Sequence, residues 1–139
     1  MTTTREHLLA IVEPTIDGDT TLEIARGVVE RGGTASVVLM ITPRVRRDIS
    51  AYARGADLGI GDAEQYALDR FTHTCHQLVG DGVTTSVAPT SVRGRALRRY
   101  VTPDTTAIAI PAGLAKNWSV RRLTSATGLP VVVTPRRAA

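Results

Sequence analysis

Few residues able to do chemistry are grouped in this chain. The single cysteine, Cys75, stands between His73 and His76. At helical spacing the two histidines share a face at i, i+3, while Cys75 diverges from its neighbour. Two ligands fall short of the three or four that zinc needs, and a Cys75–His76 nucleophile–base pair fails on the same geometry. Cys75 therefore reads as a small core residue. A dinucleotide-binding turn requires G-x-G-x-x-G after the first strand, so that backbone can approach pyrophosphate. The corresponding stretch is EPTIDGDTT, with one glycine. A P-loop requires Gly-Lys-Ser/Thr; the only lysine, Lys116, follows Ala115. A phosphoacceptor receiver needs an acidic pair after the first strand, and only Glu13 stands there. Thr15, Thr20 and Thr21 hint at a hydroxyl-rich flavin loop, but Trp118 is the one aromatic available to flank a flavin. With no positioned nucleophile, base or metal cluster, the chain reads as non-enzymatic.

Charge is the next chemical signal. Of 17 basic residues, 16 are arginine, and the net charge is +4. Arginine pairs bidentately with phosphate and carboxylate. The clusters are Arg44/Arg46/Arg47, Arg93/Arg95/Arg98/Arg99 and Arg121/Arg122. Such faces are first of all solvated surface. Only five residues are aromatic, too few for a base-stacking platform. A nucleic-acid partner is therefore not expected, although binding through the arginine patches stays as an alternative.

The elements that would position these residues follow from length and pattern. A chain of 139 residues, 42% apolar and 22% charged, suits one globular domain with a real core. No apolar run approaches the roughly 20 residues of a membrane span, so no membrane association is expected. No leader segment is recognised, and a lone cysteine fits a reducing compartment; the expected location is the cytoplasm. Strands are predicted at His7–Val12, Ala35–Ile41, Val83–Ala88, Thr106–Ile110 and Leu129–Thr134. Between them, helices are predicted from Thr20 (with Glu23 completing a capping box) to Gly32-Gly33, from Asp62 to Gly80, from Ser91 to Val101, and from Ser119 to Ala126. Arg44–Gly61, with Gly55, Gly59 and Gly61, is expected to be a loop with a broken or short helix. Alternation of this kind, with HLLAIV and ASVVLMI nearly continuously apolar, predicts a parallel sheet buried on both faces.

The closing stretch Asp104–Pro135, DTTAIAIPAGLAKNWSVRRLTSATGLPVVVTP, resembles the end of the universal stress protein family, in which a strand like ADLIVMG leads to GSVSERVLRHAPCPVLVV. Thr106–Ile110 stands for the strand, Trp118-Ser119-Val120 for GSV, and Thr127–Val133 for APCPVLVV. At the start, HLLAIVEP stands for ILVAVDGS. The resemblance spans about residues 6–135 of a single domain covering 1–139, with 136–139 as a tail. It implies a three-layer α-β-α sandwich around a five-stranded parallel sheet in the order 3-2-1-4-5. Family members that bind adenine nucleotides resemble one another in an Asp after the first strand and a G-x2-G-x9-G-[ST] loop after the fourth. Glycines there let backbone N–H groups wrap phosphate at a helix N-terminus.

This chain departs from that pattern. Glu13 replaces the Asp and Pro14 follows it. The loop from Pro111 to Trp118 is about six residues shorter and keeps only Gly113. Trp118 stands where the last glycine belongs, and Ser119 is retained. The expectation is a stress-response or regulatory module that does not hold ATP in the usual family way. It would bind a small anionic ligand or a protein partner, with no cofactor; an ATP- or AMP-binding sensor is the alternative. The candidate ligand residues are Glu13, Pro14, Ile41, Pro111, Gly113, Asn117, Trp118, Ser119 and Val120. Ser119 is read as the helix cap and Trp118 as packing between helix and sheet, or else covering a pocket. The resemblance also implies a homodimer through the last strand, where Val131, Val132 and Val133 would form an exposed edge.

Overall fold

Five short apolar segments form one sheet. In the computed structural model, which describes residues 5–13, 16–80, 82–88 and 97–135, the strands are β1 (His7–Val12), β2 (Thr34–Met40), β3 (Val83–Ala88), β4 (Ala107–Pro111) and β5 (Val131–Thr134). All neighbours are parallel, in the order β3-β2-β1-β4-β5. This is the order implied by the resemblance. The direction of winding reverses between β1 and β4, so their carboxyl ends flank the crevice where such sheets hold ligands.

The helices are α1 (Ile16–Glu30), α2 (Pro43–Gly55), α3 (Ile60–Val79) and α4 (Trp118–Thr127). Alternation along the strands divides the core into two layers. Leu8, Ala10 and Val12 of β1 join Ala35, Val37 and Leu39 of β2 under Leu22, Ala25 and Val28 of α1 and Phe71, Cys75 and Val79 of α3. Leu9 and Ile11 point the other way, with Val38, Met40, Ile108 and Ile110, and meet Leu97, Leu114, Val120 and Leu123. Each strand residue thus serves the layer that its pleat dictates. The sandwich is the predicted one.

Several boundaries differ from expectation for local reasons. The segment expected as a loop is helix α2. Thr42 caps it, its hydroxyl accepting from Val45 N at 3.4 Å, and Pro43 fills the first turn, where a missing N–H costs nothing. Gly55 is the last residue of α2, Gly59 caps α3, and Gly61 lies in the first turn of α3, so none of them interrupts a helix interior. Asp62 is likewise in the first turn of α3 rather than its cap. Helix α1 begins at Ile16, which places Thr20 and Glu23 inside it. Most of the helix expected from Ser91 lies outside the described residues; its end, Arg98–Tyr100, is a 3-10 turn. Ile41 falls just beyond β2, Thr106 just before β4, and Leu129 and Pro130 before β5.

Two glycines are required by the backbone. Gly32 ends α1 with φ +86°, a left-handed conformation. A Cβ on Gly33 would lie 2.7 Å from Glu6 O and 2.7 Å from Val28 Cγ1. That space is taken because α1 turns directly into β2, where Thr34 N donates to Glu6 O at 2.9 Å.

Candidate functional site

The carboxyl ends of β1, β2 and β4 bring Glu13, Ile41-Thr42 and Pro111–Gly113 to one edge of the sheet, and α4 begins from the loop after β4. Glu13 is half-buried and its carboxylate accepts a 2.5 Å hydrogen bond from Thr42 Oγ1. Thr42 is in turn the cap of α2. The first turn of α2 holds no acidic residue, and Arg44, Arg46 and Arg47 all stand near the positive end of its dipole. A carboxylate beside a helix N-terminus contributes about 0.3–1 kcal/mol. Glu13 therefore anchors α2 to the end of β1. Thr42 is not among the candidate ligand residues named from the sequence, although it stands just after a strand. Its signal was the Thr-Pro pair at a strand end, a cap followed by a first-turn proline.

Ile41 is half-buried and packs against both the α1–α3 layer and a small cluster of Val45, Ile49, Ala53 and Ala63. It serves packing. Pro111 closes β4, buried, opposite Thr134 of β5. Thr134 bonds Thr21 of α1 at 2.7 Å, both hydroxyls being buried, and reaches Ile110 O at 3.4 Å. Gly113 lies in a 3-10 turn, Ala112–Leu114, with open space around the position of a Cβ. Pro14 lies outside the described residues.

The start of α4 differs from the sequence reading in two ways. The cap is Asn117, not Ser119: Asn117 Oδ1 accepts from Ser119 N at 3.0 Å and from Val120 N at 3.3 Å, and Asn117 O accepts from Arg121 N at 2.9 Å. Asparagine is as good a cap as serine, and the helix starts early enough that Ser119 lies within its first turn. Trp118 does not fill a gap beneath the helix. It is 60% exposed, with the Arg122 guanidinium over its ring at 5.2 Å. The Val120 side chain is fully buried in the core.

Other polar groups are distributed elsewhere. His73 and His76 are exposed while Cys75 is buried, so the histidine–cysteine cluster is divided between surface and core. Burial, with Asp19 adding to it, pushes the Cys75 thiol up to about 12. At the opposite end of the sheet His7 lies between Thr34 Oγ1, 2.5 Å from Nδ1, and Ser36 Oγ, 3.3 Å from Nε2; Ser36 continues to Thr84 at 3.0 Å. The sequence did not single out this imidazole–hydroxyl row. It satisfies polar side chains along strand starts.

Together the sheet order, the two helical layers and the loops at the carboxyl ends define a doubly wound α/β domain, with the β1, β2 and β4 termini at the edge where sheets of this kind hold ligands. The sequence matches no protein-family model and no curated protein. The fold matches solved universal stress proteins. UspA from Lactobacillus plantarum has a TM-score of 0.61 at 9% identity, over 96% of this chain and 99% of that one. A universal stress protein family structure from Burkholderia pseudomallei has 0.59 at 12% identity, over 96% and 98%. A universal stress protein solved in complex with cAMP has 0.53 at 9% identity, over 94% and 97%. The chain has the universal stress protein fold.

Proposed function

We propose that this protein is a non-enzymatic regulatory module of the universal stress type, cytoplasmic and homodimeric, whose carboxyl-edge site does not hold ATP by the phosphate loop of nucleotide-binding relatives. The observation that carries the reading is the occupancy of the α4 N-terminus. A phosphate at a helix start is held by free backbone N–H groups. Here Asn117 Oδ1 takes those of Ser119 and Val120. The turn before it carries one glycine, Gly113, and Glu13 is committed to Thr42. The site offers an anion few unspent donors, which favours a protein partner over a nucleotide. One structural relative was solved with cAMP, so the nucleotide-sensor reading is retained as the rival.

The test is mass spectrometry of small molecules released from denatured protein, followed by calorimetric titration with ATP, AMP and cAMP. The expected result is no copurified nucleotide and no saturable heat; saturable binding of any of the three overturns the reading. Among the described residues no helix is long and apolar enough to cross a membrane. The dimer is supported by β5, an edge strand on which Val131, Val132 and Val133 are 37%, 41% and 49% exposed. Such an edge is a pairing template, and a twofold partner would cover it. Val133→Lys is expected to convert a dimer to a monomer in sedimentation analysis; an unchanged species rules out this edge.

A further inference from the structure

The exposed face of α4 carries side chains that the core does not use. Trp118, Arg121, Arg122 and Ser125 recur at i, i+3, i+4 and i+7, and all four are exposed. Val120 and Leu123, on the opposite side, are fully buried. Trp118, the chain's only tryptophan, is the most exposed large apolar side chain among the described residues. Arg122 lies over its indole, and Lys116 is exposed just before the helix. Among the described residues the ion pairs are Arg26–Glu30 and Arg31–Glu6, so none of these three cations has a carboxylate partner. The sequence extends the asymmetry: after Asp104 there is no Asp or Glu, against Lys116, Arg121, Arg122, Arg136 and Arg137.

We infer that this face docks an acidic segment of a partner protein, with carboxylates on Arg121 and Arg122 and an apolar residue against Trp118. The inference rests on the protein-partner reading above and names its surface. An arginine stacked on an aromatic ring is held in place while its in-plane N–H groups stay available for a bidentate carboxylate. Tryptophan and arginine are the side chains that most often dominate interface energetics. Nucleic acid fits less well, because single-strand binding uses successive stacking aromatics and this face has one. An anionic membrane fits less well too: the apolar stripe of α4 is spent on the sheet, and the exposed cations number fewer than the clusters that bind lipid.

The test uses the intact chain and a short labelled peptide rich in Asp and Glu with one central Leu. Single-stranded oligonucleotide and anionic vesicles serve as competitors. The single tryptophan reports its own site. Saturable peptide binding at low salt with a blue shift of the indole emission is expected, weakening as salt rises. By anisotropy of the peptide, Trp118→Ala is expected to weaken binding about tenfold or more, and Arg121→Glu/Arg122→Glu to abolish it. Arg44→Glu/Arg47→Glu on α2, the same charge change elsewhere, is expected to leave it intact, with circular dichroism confirming that each variant is folded. Absence of peptide binding overturns the inference, as does equal loss from the α2 variant or tighter binding of oligonucleotide or vesicles. Nucleotide binding alongside intact peptide binding would overturn the phosphate-site argument and leave this surface standing.

Discussion

Asn117 is the most exposed point of the functional argument, because its side chain both starts α4 and occupies the amides a phosphate would need. Its Oδ1 accepts from two N–H groups, at 3.0 and 3.3 Å. Replacing an asparagine cap by alanine costs about 1 kcal/mol, within a range of roughly 0.5–2. The upper half of that range is expected here: Val120 and Leu123 lie within the first two turns and are fully buried, so fraying at this end disturbs the core. With a urea slope of about 2 kcal/mol per molar, a loss of about 1.25–2 kcal/mol moves the unfolding midpoint down by about 0.6–1 M. Asn117→Gly is expected to lose only a few tenths of a kcal/mol. Asn117→Asp keeps the acceptor, places an anion at the helix start, and is expected to match the wild type or exceed it. The order Asp ≥ Asn > Gly > Ala is therefore the signature of a cap. A second readout separates cap from ligand site: inorganic phosphate is expected to raise the midpoint of Asn117→Ala, whose two amides are freed, more than that of the wild type. An Asn117→Ala midpoint equal to wild type refutes the capping geometry. Equal stabilisation of both proteins by phosphate refutes the claim that the amides are occupied.

Three further expectations come from elsewhere in the fold. Gly33→Ala forces a Cβ to 2.7 Å from the Glu6 carbonyl and 3.0 Å from that of Val28, and is expected to cost about 1–3 kcal/mol. Gly113→Ala meets nothing within 4 Å and is expected to stay within about 0.5 kcal/mol in the same urea titration. Thr134→Val leaves the buried Thr21 hydroxyl without its 2.7 Å partner, at about 1–3 kcal/mol, whereas Thr21→Val leaves Thr134 its bond to Ile110 O and is expected to cost less; the double variant is expected to lose clearly less than the sum, and an additive cycle would refute the coupling. The Cys75 thiol, pushed up to about 12 by burial and by Asp19, stays protonated in the folded chain while the unfolded thiol ionises from about pH 8.5. The unfolded state then binds fewer protons, so stability is expected to fall as pH rises above that point. Cys75→Ala should remove this alkaline slope; the thiol should also resist modification until urea opens the protein, and fast labelling of folded protein would contradict its burial.

The parts of this fold legible in sequence are those written in burial. HLLAIV and ASVVLMI are buried on both faces, and a two-sided environment leaves a nearly unbroken apolar run. The strand order came from the resemblance of the closing segment, because order depends on crossovers that periodicity does not encode. The errors arose where one residue type carries two meanings. Gly55, Gly59 and Gly61 break a helix when interior but terminate or begin one when placed at its ends, and only the Thr42-Pro43 start distinguishes the cases. Asn117 and Ser119 are both good caps two residues apart, and packing of Val120 and Leu123 decides which register the helix takes. For Trp118 the sequence favours packing between helix and sheet, or else covering a pocket, because aromatics usually pack; its exposure becomes visible only in the structure.

That register also links the two functional claims. Val120 and Leu123 face the sheet, and Asn117 caps the first turn. The same rotation leaves Trp118, Arg121 and Arg122 exposed, off the buried side that Val120 and Leu123 occupy. A helix rotated so that position 118 faced the crevice would bring an indole toward the place where backbone must approach phosphate. Whatever the indole does there, the helix start adopted closes the amides of Ser119 and Val120 with Asn117. Restoring a phosphate site thus takes more than replacing Trp118 with glycine: the Asn117 acceptor must go as well. Trp118→Gly alone is expected to leave nucleotide titrations without heat, and a saturable response from that single variant would show that the indole, not the cap, closes the site.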